Sequence, residues 1–128
     1  FMDNSEDILQ SPLFQTVADL AFESIMVTKA TSDHTNSVII YVNQAFSNLT
    51  GYSADEVIGK TPGLLQGPRT ESGVKERLAE DLRNKRTFHG DTINYRKDGS
   101  SFVIEWKIAP LMDGDEVTHY VAVQRAIG

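Results

Sequence analysis

Apolar residues recur along this chain first at helical spacing and then at strand spacing. From Ser11 onward, Leu13, Phe14, Val17, Leu20 and Ala21 fall three or four residues apart, and Pro12 suits a first helical turn. Ser24–Lys29 (SIMVTK) and Val38–Val42 (VIIYV) are rich in β-branched and aromatic residues and predict two strands around a polar loop over Ala30–Ser37. The middle predicts short, interrupted helices. Asn43 can cap a helix in NQAFSNLT that Gly51 ends. Ser53-Ala-Asp-Glu56 has the spacing of a capping box, and Gly59 closes the helix it opens. Pro62, Gly63, Gly67 and Pro68 break up the next ten residues. A longer helix then runs from about Thr70 to Asn84, with Val74, Leu78 and Leu82 as its buried stripe.

The last third alternates with a period of two. Thr87–Tyr95 and Ser101–Leu111 flank Arg96-Lys97-Asp98-Gly99-Ser100, in which Asp-Gly is a strong hairpin signal. Phe102, Ile104, Trp106 and Ile108 share the inward face of the second strand, and Glu105 takes the opposite face. Asp113-Gly114-Asp115 turns into a last strand, Val117–Arg125. The order ββααααβββ predicts an α+β domain: a five-stranded antiparallel sheet with helices on one face, plus an N-terminal flanking helix. A small ligand would sit between sheet and helices. Residues 1–23 are read as the flanking segment and 24–128 as the domain itself, with Phe1 before Met2 as a cloning remnant.

Composition narrows the chemistry. A chain of 128 residues, 40% hydrophobic and 23% charged, suits one domain with one core. No apolar run approaches the roughly 18 residues that span a bilayer, and no leader pattern is visible, so a cytoplasmic setting without membrane contact is expected. The net charge of −6 opposes a phosphate backbone, so no nucleic-acid partner is expected. The absence of cysteine removes disulfides, thiolate metal ligands and any cysteine nucleophile. His34, His89 and His119 are scattered, with no metal-ligand spacing. There is no glycine-rich phosphate loop after a strand and no marked triad, so neither a metal nor an independent enzyme activity is expected.

Three short segments carry a family resemblance. Tyr41-Val-Asn-Gln-Ala-Phe46, Leu49-Thr-Gly-Tyr52 and Glu56-Val-Ile-Gly-Lys60 together resemble PAS domains. Leu64-Leu-Gln-Gly-Pro68 resembles the signature of the LOV branch, where an Asn-Cys-Arg-Phe-Leu-Gln-Gly string lines a flavin pocket. Ile93-Asn-Tyr95, Lys97-Asp-Gly99, Phe102 and Val123-Gln124 come after it at LOV-like spacing, so the resemblance runs from Ser24 to Ile127. It implies a PAS fold and a pocket for FMN or FAD. Heme is not expected, because no histidine lies on the long helix where heme-binding PAS sensors place their iron ligand.

The departures are specific. Pro62 stands in place of the photoactive cysteine, and Thr61 in place of the asparagine before it. Gly63 and Ala79 stand where two arginines would hold the flavin phosphate. Ile104 replaces a second asparagine, and Ala126 a terminal aspartate. The polar candidates for the ring are Gln66, Asn94 and Gln124, whose amides can present either a donor or an acceptor. Asn43, Leu65, Ile104, Trp106 and Ile108 complete the candidate cofactor site, and Trp106 would be an electron donor. Phosphate candidates are Arg69 in the loop, and Lys75 and Arg83 one helical turn either side of Ala79.

Two readings of function are open. In one, a flavin responds to light or redox state, Gln124 turns its amide, and the final strand carries the change to an output domain beyond Gly128. In the other, the domain binds no ligand or a metabolite and serves dimerisation and relay to a histidine kinase or a cyclic-dinucleotide enzyme. A homodimer through the N-terminal stripe and the outer sheet face, with Val103, Ala109 and Tyr120 as sheet contacts, is expected in both.

Overall fold

The computed structural model describes residues 9–30 and 37–127; His34 and most of the polar loop before Val38 lie outside them. Helix α1 (Pro12–Leu20) leads into strands β1 (Ser24–Lys29) and β2 (Val38–Val42). Helices α2 (Gln44–Thr50) and α3 (Ala54–Val57), a 3-10 turn over Pro62–Leu65, and helix α4 (Ser72–Arg83) cross back to β3 (Phe88–Tyr95), β4 (Ser101–Asp113) and β5 (Glu116–Ile127). The strands form one antiparallel sheet in the order β2-β1-β5-β4-β3. This is the predicted architecture, and the first two strands have the predicted limits.

Local chemistry explains the helix ends. The Ser11 hydroxyl accepts from Phe14 N at 3.1 Å at the start of α1. Gly51 takes the left-handed conformation (φ 81) that ends α2, a backbone state glycine adopts without strain. Glu56 Oε1 accepts from Ser53 N at 2.9 Å, closing the capping box that opens α3. Glu56 also pairs with Lys97, which ties α3 to the β3–β4 turn.

The sheet has two different faces. Met26, Phe88, Ile108, Tyr120 and Ala122 point inward and pack with Ile39, Phe46, Val57 and Leu65 from β2 and the helical crossover. Fully burying the larger aliphatic and phenyl side chains among these is worth about 1.5–3 kcal/mol each relative to exposure, so this cluster holds the sheet and helices together. On the outer face, Tyr41 stands opposite Val27, and the Phe14 ring meets Tyr41 edge-on at 5.1 Å. Helix α1 therefore covers the β1–β2 end of that face.

The structure divides the α1 stripe and changes two other expectations. In the α1 stripe Phe14 makes the ring contact with the sheet, and Ala18 is the buried residue of the helix. Leu13 and Leu20 remain 76% and 75% exposed, because the narrow α1–β2 contact accommodates one side of a nine-residue helix. Val74, Leu78 and Leu82 of α4 are half-buried and pack on the edge of the core; Leu78 and Leu82 also face a cavity. Tyr120 points inward and is buried; Val121 is the β5 residue beside Ala109. Tyr120 thus cannot supply the outer-face contacts expected of it.

Candidate functional site

The loop from Pro62 to Glu71 is held in place by four hydrogen bonds, three of them to β3. Gly67 N donates to Thr70 Oγ1 (3.0 Å), and Thr70 Oγ1 donates to Ile93 O (2.6 Å). Arg69 N donates to the Tyr95 hydroxyl (3.1 Å), and Glu71 N donates to Thr92 Oγ1 (3.0 Å). These bonds hold the 3-10 turn and the start of α4 over the inner sheet face. Between them lies a cavity of about 370 Å³.

Most of the predicted residues meet there. Gln66 reaches the cavity from the loop, Asn94 from β3 and Gln124 from β5. Leu65, Ile104 and Ile108 form apolar walls, and Trp106 lines the same space. Gln124 is 4% exposed, and its Oε1 accepts from the Ser24 hydroxyl at 3.0 Å. Ser24 and Gln124 are direct partners in the β1–β5 ladder, so this bond is built into the register. With its oxygen engaged, Gln124 has its NH₂ group for a ligand. Trp106 packs on Phe88 at 5.1 Å, and the Arg77 guanidinium lies 4.9 Å from the Phe88 ring centre. Lys75 and Arg83 line the cavity along α4, with Ala79 between them. Pro62, Thr61 and Gly63 lie on the cavity wall, so a reactive side chain at 62 would have met a ligand there.

Two predicted residues lie elsewhere. Asn43 is buried, but all its hydrogen-bonding capacity is used in joining elements. Its Oδ1 accepts from Ile25 N (2.8 Å) and Phe46 N (3.1 Å), and its Nδ2 donates to Ala18 O (2.7 Å) and Glu23 O (3.1 Å). It pins β1, α1 and the start of α2 together and does not line the cavity. Arg69 is exposed on the loop; its backbone, not its guanidinium, contributes to the site through Tyr95. Of the phosphate candidates, Lys75 and Arg83 alone are on the cavity.

The sequence reading missed Ser24, Thr28, Thr70, Thr92 and Tyr120. Thr92 was findable, because it has the same strand parity as Asn94. Ser24 was not, because its role depends on the β1–β5 register. Burial raises the pKa of the Tyr120 hydroxyl, so it stays protonated beside the cavity.

On the outer face, Glu105 bridges three strands: its carboxylate meets His89 Nε2 at 2.9 Å and Arg125 Nε at 2.7 Å. The hydrogen bonds from His89 and then Arg125 hold the Glu105 carboxyl below its ordinary pKa. Glu105 and Arg125 are paired one step along from Trp106 and Gln124. The two faces of the β4–β5 pair are therefore joined directly behind the cavity. No group of three or more potential ligand side chains among the described residues is placed to hold a metal ion. No helix among them is long and apolar enough to cross a membrane.

The sequence profile of the PAS domain matches residues 23–127. The chain belongs to the PAS domain family. Its relatives place this PAS domain among the LOV-type sensory modules. It is 42% identical over 91 residues to "Blue-light-activated histidine kinase 2" of Erythrobacter litoralis, covering 70% of this chain and 26% of that protein. It is 32% identical over 108 residues to "Blue-light photoreceptor" of Listeria innocua, covering 84% of this chain and 43% of that protein. The PAS domain thus spans less than half the length of these relatives. A solved structure described as "Flavin Analogue Sheds Light on Light-Oxygen-Voltage Domain Mechanism" superposes with a TM-score of 0.81 at 30% identity, covering 94% of this chain and 88% of that one.

Proposed function

We propose that this PAS domain is the flavin-binding sensory module of a larger signalling protein, answering blue light or redox state without a cysteinyl adduct. The observation that carries this reading is the meeting of three side-chain amides, Gln66, Asn94 and Gln124, in one cavity with apolar walls. An isoalloxazine ring asks for this combination: flat apolar surfaces for its faces and adaptable donors and acceptors for its polar edge. The residues therefore fit the ring. Lys75 and Arg83 would hold the phosphate of FMN or the diphosphate of FAD from α4.

When bound, the flavin supplies visible-light absorption and one-electron redox chemistry. The chain supplies the rest. Gln124 donates to the ring through the NH₂ group that its bond to Ser24 leaves over. Loss or reversal of that bond alters the β1–β5 pairing and, through Arg125 and Glu105, the outer face. Pro62 offers no nucleophile, so no carbon–sulfur bond forms with the ring. Trp106 is the cavity side chain best suited to give an electron, whereas Tyr95 packs on Gly67 and lies off the cavity wall.

The domain is read as a sensor and not an enzyme, cytoplasmic, with residues 1–23 as its flanking segment and 24–128 as the module. The kinase similarity supports a covalently linked output domain, a histidine kinase or a cyclic-dinucleotide enzyme. Exposed Leu13, Val17 and Leu20 on α1, with Val103 and Val123 on the sheet, supply an apolar surface for a homodimer. Leu20→Glu is expected to yield a folded monomer by light scattering; a variant that remains dimeric removes α1 from the interface.

Titration of the purified protein with FMN, FAD and riboflavin, followed by flavin fluorescence, tests the ligand. Saturable binding is expected, about tenfold weaker in Gln124→Ala, a fold-change near the upper end of what one hydrogen bond contributes. Binding unaffected by Gln124→Ala and Asn94→Ala would overturn the assignment of this cavity.

A further inference from the structure

We infer that Thr92 is a further ligand-contacting residue, a hydroxyl donor on the β3–β4 wall to an acceptor atom of the ring in the cavity. The inference rests on the flavin reading above and names a contact within that site. Thr92 lines the cavity and is 3% exposed. It stands directly opposite Ile104 in the β3–β4 ladder. Ile104 is 1% exposed and apolar, so the β4 side of this pair offers a ligand no hydrogen bond. The β3 side does.

A hydroxyl has one proton to give and two lone pairs to receive. One lone pair of Thr92 Oγ1 accepts from Glu71 N at 3.0 Å. No acceptor for the hydroxyl proton is found among the described residues. A buried hydroxyl rarely goes without one, because burial removes the water that would otherwise take the proton. The N–H of Glu71 also polarises the oxygen it binds, which makes the remaining O–H a better donor. The partner that completes this arrangement is a carbonyl or ring-nitrogen acceptor on a flat heteroaromatic ligand. Asn94, two residues along the same face of β3, offers an amide beside it.

The same atom ties the ligand to α4. Glu71 is the N-cap residue of that helix, so Thr92 Oγ1 receives from the helix start while it donates into the cavity. A ligand acceptor at Thr92 strengthens the bond that holds α4 to the sheet. Helix α4 has no fully buried residue of its own, which makes this fastening important for the cavity wall.

The test is vibrational spectroscopy of bound FMN in three variants. Thr92→Val is expected to raise the frequency of one flavin carbonyl band and weaken FMN binding about three- to tenfold, the loss of one hydrogen bond. Thr92→Ser is expected to restore both. Glu71→Pro removes the backbone N–H, at a φ of −76° that proline accepts. It is expected to speed amide exchange at the start of α4 and to raise the carbonyl band by less than Thr92→Val does, because the hydroxyl remains but is less polarised. If Thr92→Val does not fold, the position of the carbonyl band in Thr92→Ala, compared with wild type, gives the same answer. Carbonyl bands identical in wild type and the hydroxyl-free variant overturn the Thr92 contact and leave the flavin reading standing. A wild type that binds none of the three flavins overturns both.

Discussion

Gly67 is the position where the site's geometry is most exposed to a single added carbon. A Cβ built at Gly67 would lie 2.3 Å from Tyr95 Cε1 and 2.4 Å from Cδ1. The ring would have to retreat by roughly 1 Å to reach ordinary carbon–carbon contact. It is not free to do so, because the Tyr95 hydroxyl accepts from Arg69 N at 3.1 Å. Overpacking of this kind costs about 1–3 kcal/mol, and loss of the hydrogen bond adds about 1 kcal/mol. Replacing glycine by alanine returns about 0.4–1 kcal/mol through the unfolded state. Gly67→Ala is therefore expected to destabilise by about 1–3 kcal/mol in urea unfolding, with an unchanged m-value. The corresponding fall in Tm is roughly 3–6 °C per kcal/mol for a domain of this size. In a Tyr95→Ala background the ring is gone, and the cost of Gly67→Ala is expected to vanish. Flavin affinity falls with the single change, because Gln66 precedes Gly67. A Gly67→Ala protein within about 0.5 kcal/mol of wild type refutes this reasoning, since that is the scatter of neutral surface changes. A cost that persists without Tyr95 refutes it as well.

Other consequences come from the hydrogen-bond geometry. Asn43→Ala removes four hydrogen bonds that join α1, β1 and α2 and leaves buried backbone groups without partners, so a loss of about 2–4 kcal/mol is expected in chemical unfolding. A loss below about 1 kcal/mol would show that water replaces the amide. The Glu56 carboxyl is lowered from 4.5 to about 2, first by its hydrogen bond with Lys97 and then by Ser53 N. A depressed folded-state pKa adds stability that is present above the unfolded value near 4.5 and is lost as pH falls toward 2. Lys97→Met is accordingly expected to flatten the acid limb of the stability–pH profile between those values. An unchanged limb would mean that solvent screens the pair completely.

How much of this was legible in the sequence depends on whether the cause is local. Phe102, Ile104 and Ile108 alternate strictly, and Glu105 falls on the other face, so β4 declared its inward side. The Asp98-Gly99 turn and the capping residues Asn43 and Ser53 likewise act over four or five residues. Tyr120 was assigned to the outer face although Gln124, four residues along the same strand, was placed in the cavity; parity within β5 alone puts both side chains inside. The ladder sets Val121 beside Ala109, with a shift between Leu111 and Met112. Asn43 shows where local reading ends: its capping role is local, but its bonds to Ala18 and Glu23 consume the amide that a ligand would have needed. Gln66, Asn94 and Gln124 come together only in three dimensions, and the family resemblance, not their spacing, brought them to notice. Ser24 and Thr92 had no such marker. A serine or threonine in a strand reads as ordinary until its partner across the ladder is known.

The absorption spectrum of the flavin-loaded protein before and during blue illumination bears most directly on the central claim. The account predicts a bound flavin whose visible band bleaches through photoreduction in the presence of an external reductant, without the single near-ultraviolet band of a thiol adduct. Trp106→Phe is expected to slow the bleaching and raise flavin emission, because the cavity wall loses its readiest electron donor. A protein that binds no flavin, or one that forms an adduct spectrum with no cysteine in the chain, contradicts it.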